Sequence, residues 1–175
     1  MKKLLEPSTV LYPVPLVIVA TGTIERPNLM AATRLASVAA EPPQIALALR
    51  RGRYSVTLIQ DSGEFTVNLP TPALLSVIHT IGTASGRDTD KVARTGLSLA
   101  PSTKVRPPLV AACPVNIECR VSQTVDLRSH LLFIAEVVAV HAEESVLDLR
   151  GEIDYRKARP LVYETATVRE RPKDS

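Results

Sequence analysis

Two long strand patterns follow each other late in the chain with no helical pattern between them, and this does most to limit the possible fold. Residues 115–125 alternate apolar and polar side chains, and residues 131–141 form a long run rich in β-branched residues. Upstream, further strand patterns cover residues 14–20, 33–38, a run ending at Leu49, and 64–70, where alternation predicts a half-buried strand. Residues 27–32 read as a turn leading into the second strand. Residues 152–155 and 161–163 are shorter candidates. Helical spacing is confined to short stretches: 55–60, stopped by Asp61-Ser62-Gly63; a helix capped by Thr71 and opened by Pro72, running to Ile78; and 90–94. Strands with two or three short helices inserted at the loops, rather than regular βαβ alternation, predict a mostly β domain with a closed or sandwiched core. The 175 residues read as one domain, 1–175, with a core over about 10–165, an arm over 1–9 and a tail over 166–175.

Composition excludes some functions. Lys and Arg number 21 against 18 Asp and Glu, an excess of +3 too small for a nucleic-acid surface. Aromatics are 3% with no Trp, so there is no stacking platform for single strands. The apolar run 11–21 contains Pro13 and Pro15 and is too short to span a bilayer. Cys113 and Cys119 form no CxxC motif, and the three histidines have no zinc spacing, so both thiols read as small buried strand residues. The expectation is a cytoplasmic protein with no membrane, nucleic-acid or metal partner.

The motif that points to chemistry is the strand Ile45-Ala46-Leu47-Ala48-Leu49 running into Arg50-Arg51-Gly52-Arg53-Tyr54-Ser55. Guanidinium groups bind phosphate in bidentate fashion, glycine allows close backbone approach, and a serine at a helix start adds a short donor. A solvated basic turn is the competing reading.

Seven segments in order resemble the flavin reductase-like family, in particular its flavoredoxin-like branch. They are Pro27-Asn28-Leu29-Met30, Glu41-Pro42-Pro43, Arg53-Tyr54-Ser55, the run from Gly63-Glu64-Phe65 to Asn68-Leu69-Pro70, Ser85-Gly86-Arg87-Asp88-Thr89-Asp90-Lys91, Cys113-Pro114-Val115-Asn116-Ile117-Glu118-Cys119, and Ser129-His130. The resemblance implies an FMN-binding split β-barrel of Greek-key type, assembled as a homodimer.

It also implies roles for particular residues. Arg50, Arg53, Ser55, Ser85, Arg87 and Lys91 would hold the FMN phosphate. Thr33, Arg34, Ala36 and Ser37 would line the ring, with Asn28 assigned to the same pocket and His130 and Tyr163 beside it. Relatives often carry a tryptophan where this chain has Arg34; a guanidinium can stack too, but it adds positive charge. The implied activity is transfer of hydride from NAD(P)H to flavin and on to a flavin, ferric or protein acceptor, with no side chain required as acid or base. The alternative is a non-catalytic FMN electron carrier reduced by a partner protein. A cofactor-free β-barrel taking an acidic ligand on the arginine loop is a third reading.

Overall fold

The structure is a computed structural model that describes residues 1–9 and 11–164, and the backbone of 167–170. The expected core limits, Val10 and Thr165, and the tail residues Ala166 and 171–175 lie outside the described residues.

In chain order the strands and helices are β1 (Val14–Pro15), β2 (Val17–Gly22), β3 (Pro27–Ala32), β4 (Leu35–Ala40), β5 (Pro43–Arg50), α1 (Tyr54–Ser62), β6 (Glu64–Leu69), α2 (Leu75–Thr83), α3 (Lys91–Thr95), β7 (Leu99–Ala100), β8 (Leu109–Val110), β9 (Val115–Asp126), β10 (His130–Ala142), α4 (Tyr155–Ala158), β11 (Leu161–Glu164) and β12 (Thr167–Glu170). Seven strands form one antiparallel sheet in the order β3-β2-β6-β9-β10-β5-β4. β1, β11 and β12 make a small second sheet, and β7 and β8 a third. The mostly β class, the split-barrel architecture and the inserted helices follow the sequence reading. No helix among the described residues is long and apolar enough to cross a membrane.

Side-chain alternation along β2 divides the core in two. Val17 and Val19 pack with Leu47, Phe65, Val67, Phe133 and the inner face of α1 (Val56, Ile59). Ile18 and Ala20 face the other way, against Leu29, Ile78 and Ile81. β2 therefore has two buried faces, which explains its unbroken apolar run.

Four local expectations are corrected. Residues 27–32 form the strand β3, because Pro27 and Asn28 pair with Gly22 and Thr21 instead of turning. Residues 152–155 form no strand: Ile153 makes one isolated bridge to Leu147, and Asp154 caps α4 by accepting from the Arg156 amide. β6 is not half-buried. Its polar residues Thr66 and Asn68 are fully buried, since Thr66 donates to Pro108 O at 2.7 Å while Asn68 bonds Ile18 O, the Val110 amide and Asn116. Thr71 precedes a 3-10 turn, Pro72–Leu74, without a side-chain cap, and α2 follows it. The tail includes a strand, since β12 pairs with β11.

Candidate functional site

β5 ends at Arg50, and Gly52-Arg53 turn the chain into α1. Arg53 occupies the N-cap position without a side-chain cap bond, and no acidic residue lies in the first turn of the helix. This nine-residue helix thus presents an uncapped, positively polarised end. Arg53, Ser55, Asn28, Ser85, Gly86 and Lys91 line a cavity of about 150 Å³ at that end.

Hydrogen bonds fix the polar groups of this cavity. Asn28 Nδ2 donates to Thr21 Oγ1 at 3.0 Å and to Ser55 Oγ at 2.9 Å. Acceptance from Asn28 leaves the proton of the buried Ser55 hydroxyl available to a ligand. Lys91 is buried, and its Nζ donates to Leu29 O at 2.8 Å and Ile81 O at 2.9 Å, which leaves the third N–H. Burial, and then the charge of Arg53, lower the Lys91 pKa from 10.5. The Arg87 guanidinium stands 5.7 Å from the centre of the Tyr54 ring.

Among the described residues, Arg50, Arg53, Arg87 and Lys91 form no ion pair with a carboxylate. Arg51 differs: it pairs with Asp126 and donates from Nε to Arg128 O at 2.7 Å, tying the loop to the β9–β10 turn. Asn28 Oδ1 is the one buried side-chain N or O atom among the described residues that lacks a hydrogen-bond partner. Gly86 closes over it so tightly that a Cβ there would lie 1.9 Å from Oδ1.

Met30 and Arg53 connect this cavity to a second one of about 260 Å³, lined also by Thr33, Arg34, Ala48, Arg50 and His130. Thr33, Arg34 and Ala48 lead on to a third, of about 520 Å³, with Ala36, Leu132 and Tyr163 on its walls. The three make a groove that is cationic at one end and apolar at the other. His130 sits opposite Arg50 in the β10–β5 register. Burial, then Arg34 and Arg50, hold its pKa below 6.5, so the ring is neutral at pH 7.

Twelve of the thirteen residues expected at the site lie along this groove or at its rim: Arg87 stands over Tyr54 at the rim, and the rest line it. Asn28 lies at the cationic end beside Ser55, not with the Thr33 segment to which it was assigned. Ser37 pairs with Ile45 on the exposed edge strand β4 and lines none of the three cavities. Sequence reasoning missed Thr21, Tyr54 and Gly86. The dipeptide Ser85-Gly86 carried a signal for the last, as a glycine beside a polar turn marks close backbone approach.

The chain matches the model of the flavin reductase like domain over residues 9–170. An uncharacterized protein of Archaeoglobus fulgidus is 34% identical over 146 residues, 83% of this chain and 82% of that protein. The flavoredoxin of Desulfovibrio vulgaris superimposes with a TM-score of 0.91 at 32% identity, covering 98% of this chain and 94% of that one. An FMN-binding protein of Thermus thermophilus shares the fold, with a TM-score of 0.84 at 21% identity over 100% of this chain and 96% of its own.

Proposed function

The chain belongs to the flavin reductase like domain family, and from that premise we propose that it binds FMN and acts as an oxidoreductase, taking hydride from NAD(P)H. The observation that carries this reading is the cluster of cations without carboxylate partners around the α1 N-terminus. A dianionic phosphate is the ligand that such a donor set fits. Arg53, Ser55, Ser85 and Lys91 would hold the phosphate, with Arg50 and Arg87 adding charge. Thr33, Arg34, Ala36, Ala48, His130 and Tyr163 would border the ring.

When bound, FMN supplies the redox chemistry, accepting hydride and passing electrons to a flavin, ferric or protein acceptor. The side chains bind and orient, and the apolar end of the groove limits water. Neutral His130 can donate or accept one hydrogen bond without adding charge.

We also propose that the protein is a homodimer. Supporting this is β4, one of the two outer strands of the seven-stranded sheet, whose residues 36–40 are exposed, Val38 at 52%. A cytoplasmic setting is supported by Cys113 and Cys119, both free and buried, their pKa values pushed up to about 12, first by burial.

The test is a titration of FMN by fluorescence quenching against wild type and the Arg53→Ala/Ser55→Ala double variant. Loss of charge-assisted bonds predicts weakening of about 100-fold or more, and an unchanged affinity would remove the basis of the reading. Anaerobic mixing of the loaded protein with NADH or NADPH then separates the reductase, whose flavin absorbance bleaches, from a carrier reduced by a partner protein.

A further inference from the structure

Two buried side chains behind the cationic cavity fix which way its hydrogen-bond polarity points. Thr21 is fully buried on β2, and its hydroxyl donates to Asn28 O at 3.3 Å. With that proton spent, Thr21 Oγ1 can only accept from the Asn28 side chain, so the amide nitrogen, at 3.0 Å, is the end that faces it. The same nitrogen gives its other proton to Ser55 Oγ at 2.9 Å. The acceptor atom of the amide, Oδ1, is sealed under Gly86 with no partner and no exposed surface. Ser55 is 2% exposed; it receives a proton from behind, and no acceptor among the described residues takes its own. That proton is left for the cavity.

The rest of the lining has the same sense. Ser85 Oγ accepts from the Arg87 amide at 3.3 Å, which frees its proton too. Among the described residues no carbonyl accepts from the Tyr54 or Ser55 amide at the start of α1, and no Asp or Glu lines the cavity. Donors face the ligand, while the Asn28 acceptor is shut away. We propose that this cavity selects by ionisation: it takes a fully deprotonated tetrahedral dianion, sulfate as well as phosphate, and rejects a phosphate that still carries a proton. Thr21 and Asn28 are the positioning residues that set this specificity through Ser55. A P–OH group needs an acceptor, and here it would meet the protons of Ser55 and Lys91 instead. As the seat of an FMN phosphate the cavity rests on the flavin reading; its choice between anions does not.

The probes are inorganic sulfate, a dianion throughout, and methyl phosphate, a monoester whose second proton leaves at about pH 6. Each is titrated into the full-length protein without flavin at pH 5 and pH 8, and the amide NMR signals of Tyr54 and Ser55 report binding. The charged and titratable groups facing the ligand are Arg53 and Tyr54 at the start of α1, Lys91 of α3 and Arg87 at the rim. His130, Arg34 and Arg50 stand in the adjoining cavity. Comparing the two anions at each pH cancels the titration of these groups, since both meet the same protein. In wild type, the affinity for methyl phosphate relative to sulfate should fall about 10-fold from pH 8 to pH 5, following the dianion fraction. A ratio that ignores pH, methyl phosphate binding with sulfate excluded, or no saturable binding of either anion overturns the proposal.

Asn28→Asp puts an acceptor behind Ser55 and turns the hydroxyl proton inward. Sulfate binding at pH 8 should weaken about 10-fold or more, and the ratio should no longer fall in acid. Thr21→Val, which frees the amide to flip, should shift the ratio the same way by less. Variants that weaken both anions but keep the wild-type ratio have a merely structural effect, which overturns the assignment to Thr21 and Asn28. If the anions behave as expected while FMN binds no more tightly than methyl phosphate, the flavin reading fails and this selectivity stands.

Discussion

His141 Nε2 lies 2.6 Å from Oε1 of Glu118, a carboxylate with no exposed surface. The same Oε1 accepts from the Thr103 amide and hydroxyl, and Oε2 from the amides of Lys104 (2.6 Å) and Val105 (3.0 Å). One carboxylate thus clamps the loop between β7 and β8 onto the long β9–β10 pair. Burial pushes its pKa up, but the Thr103 amide, His141, the Lys104 amide and the Thr103 hydroxyl outweigh it and hold it at about 2.

Because the folded value lies below the ordinary 4.5, the clamp's stabilisation is fully present above pH 4.5 and is lost as pH falls towards 2. Hydrogen exchange at Thr103, Lys104 and Val105 should therefore accelerate selectively as pH drops through that window, after correction for intrinsic rates. Glu118→Gln places an NH2 group against backbone donors, so it should cost about 2–4 kcal/mol in denaturant unfolding and abolish the pH dependence.

The contact between Gly86 and Asn28 makes a second prediction. Gly86→Ala brings a Cβ to 1.9 Å from Asn28 Oδ1 and to 3.3 Å from Tyr54 Cδ1, so the loop or the amide must move. Asn28 holds Ser55 in place, so the shift disorganises the cationic cavity more than the core. FMN affinity should fall about 10- to 100-fold, with less than about 1 kcal/mol lost in stability. Quenching titration and thermal unfolding of the same sample check both parts.

Much of the fold was legible because its period-2 patterns are long: β9 and β10 declare themselves over 12 and 13 residues. The errors fell where burial departed from simple alternation. Thr66 and Asn68 look like solvent-facing residues, yet they meet Pro108 and Val110 from a distant loop, a partnership no local pattern reveals. His141 reads in sequence as a surface or strand-end residue for the same reason, since its pairing with Glu118 and the backbone donors to Glu118 come from different segments. At the candidate site, the arginine run announced an anion end, but only tertiary contacts separate Arg51, neutralised by Asp126, from Arg50 and Arg53. Ser37 lies on the exposed edge strand β4, outside the three cavities, because a strand of small residues does not declare how far the groove extends.

Lys91→Met keeps the aliphatic stem while removing the ammonium and its bonds to Leu29 O and Ile81 O. FMN binding should weaken about 10- to 100-fold through the lost charge-assisted bond. Burial and Arg53 lower the Lys91 pKa from 10.5, so its charge disappears at a pH below that of a free lysine. In wild type, affinity should decline as pH rises towards 10, because the deprotonated amine no longer attracts phosphate. The variant should lack this component, which a series of titrations from pH 7 to 10 would detect.

Arg34 borders both the middle and the apolar cavity of the groove, and its charge contributes, after burial, to lowering the pKa of His130. The same field acts on a bound ring. Reduced flavin is anionic, so a nearby positive charge favours the reduced form and raises the potential. Arg34→Leu removes that charge while keeping apolar bulk at an exposed position. The midpoint potential should fall by about 10–30 mV, since 30 mV is about 1.4 kcal/mol for a two-electron couple and a solvent-screened charge supplies no more than about that. The His130 pKa should rise in the same variant, which proton NMR follows with no cofactor present. A potential that stays fixed while the histidine shifts would place Arg34 beside His130 but not beside the ring; if neither moves, solvent screens the guanidinium fully and it tunes nothing.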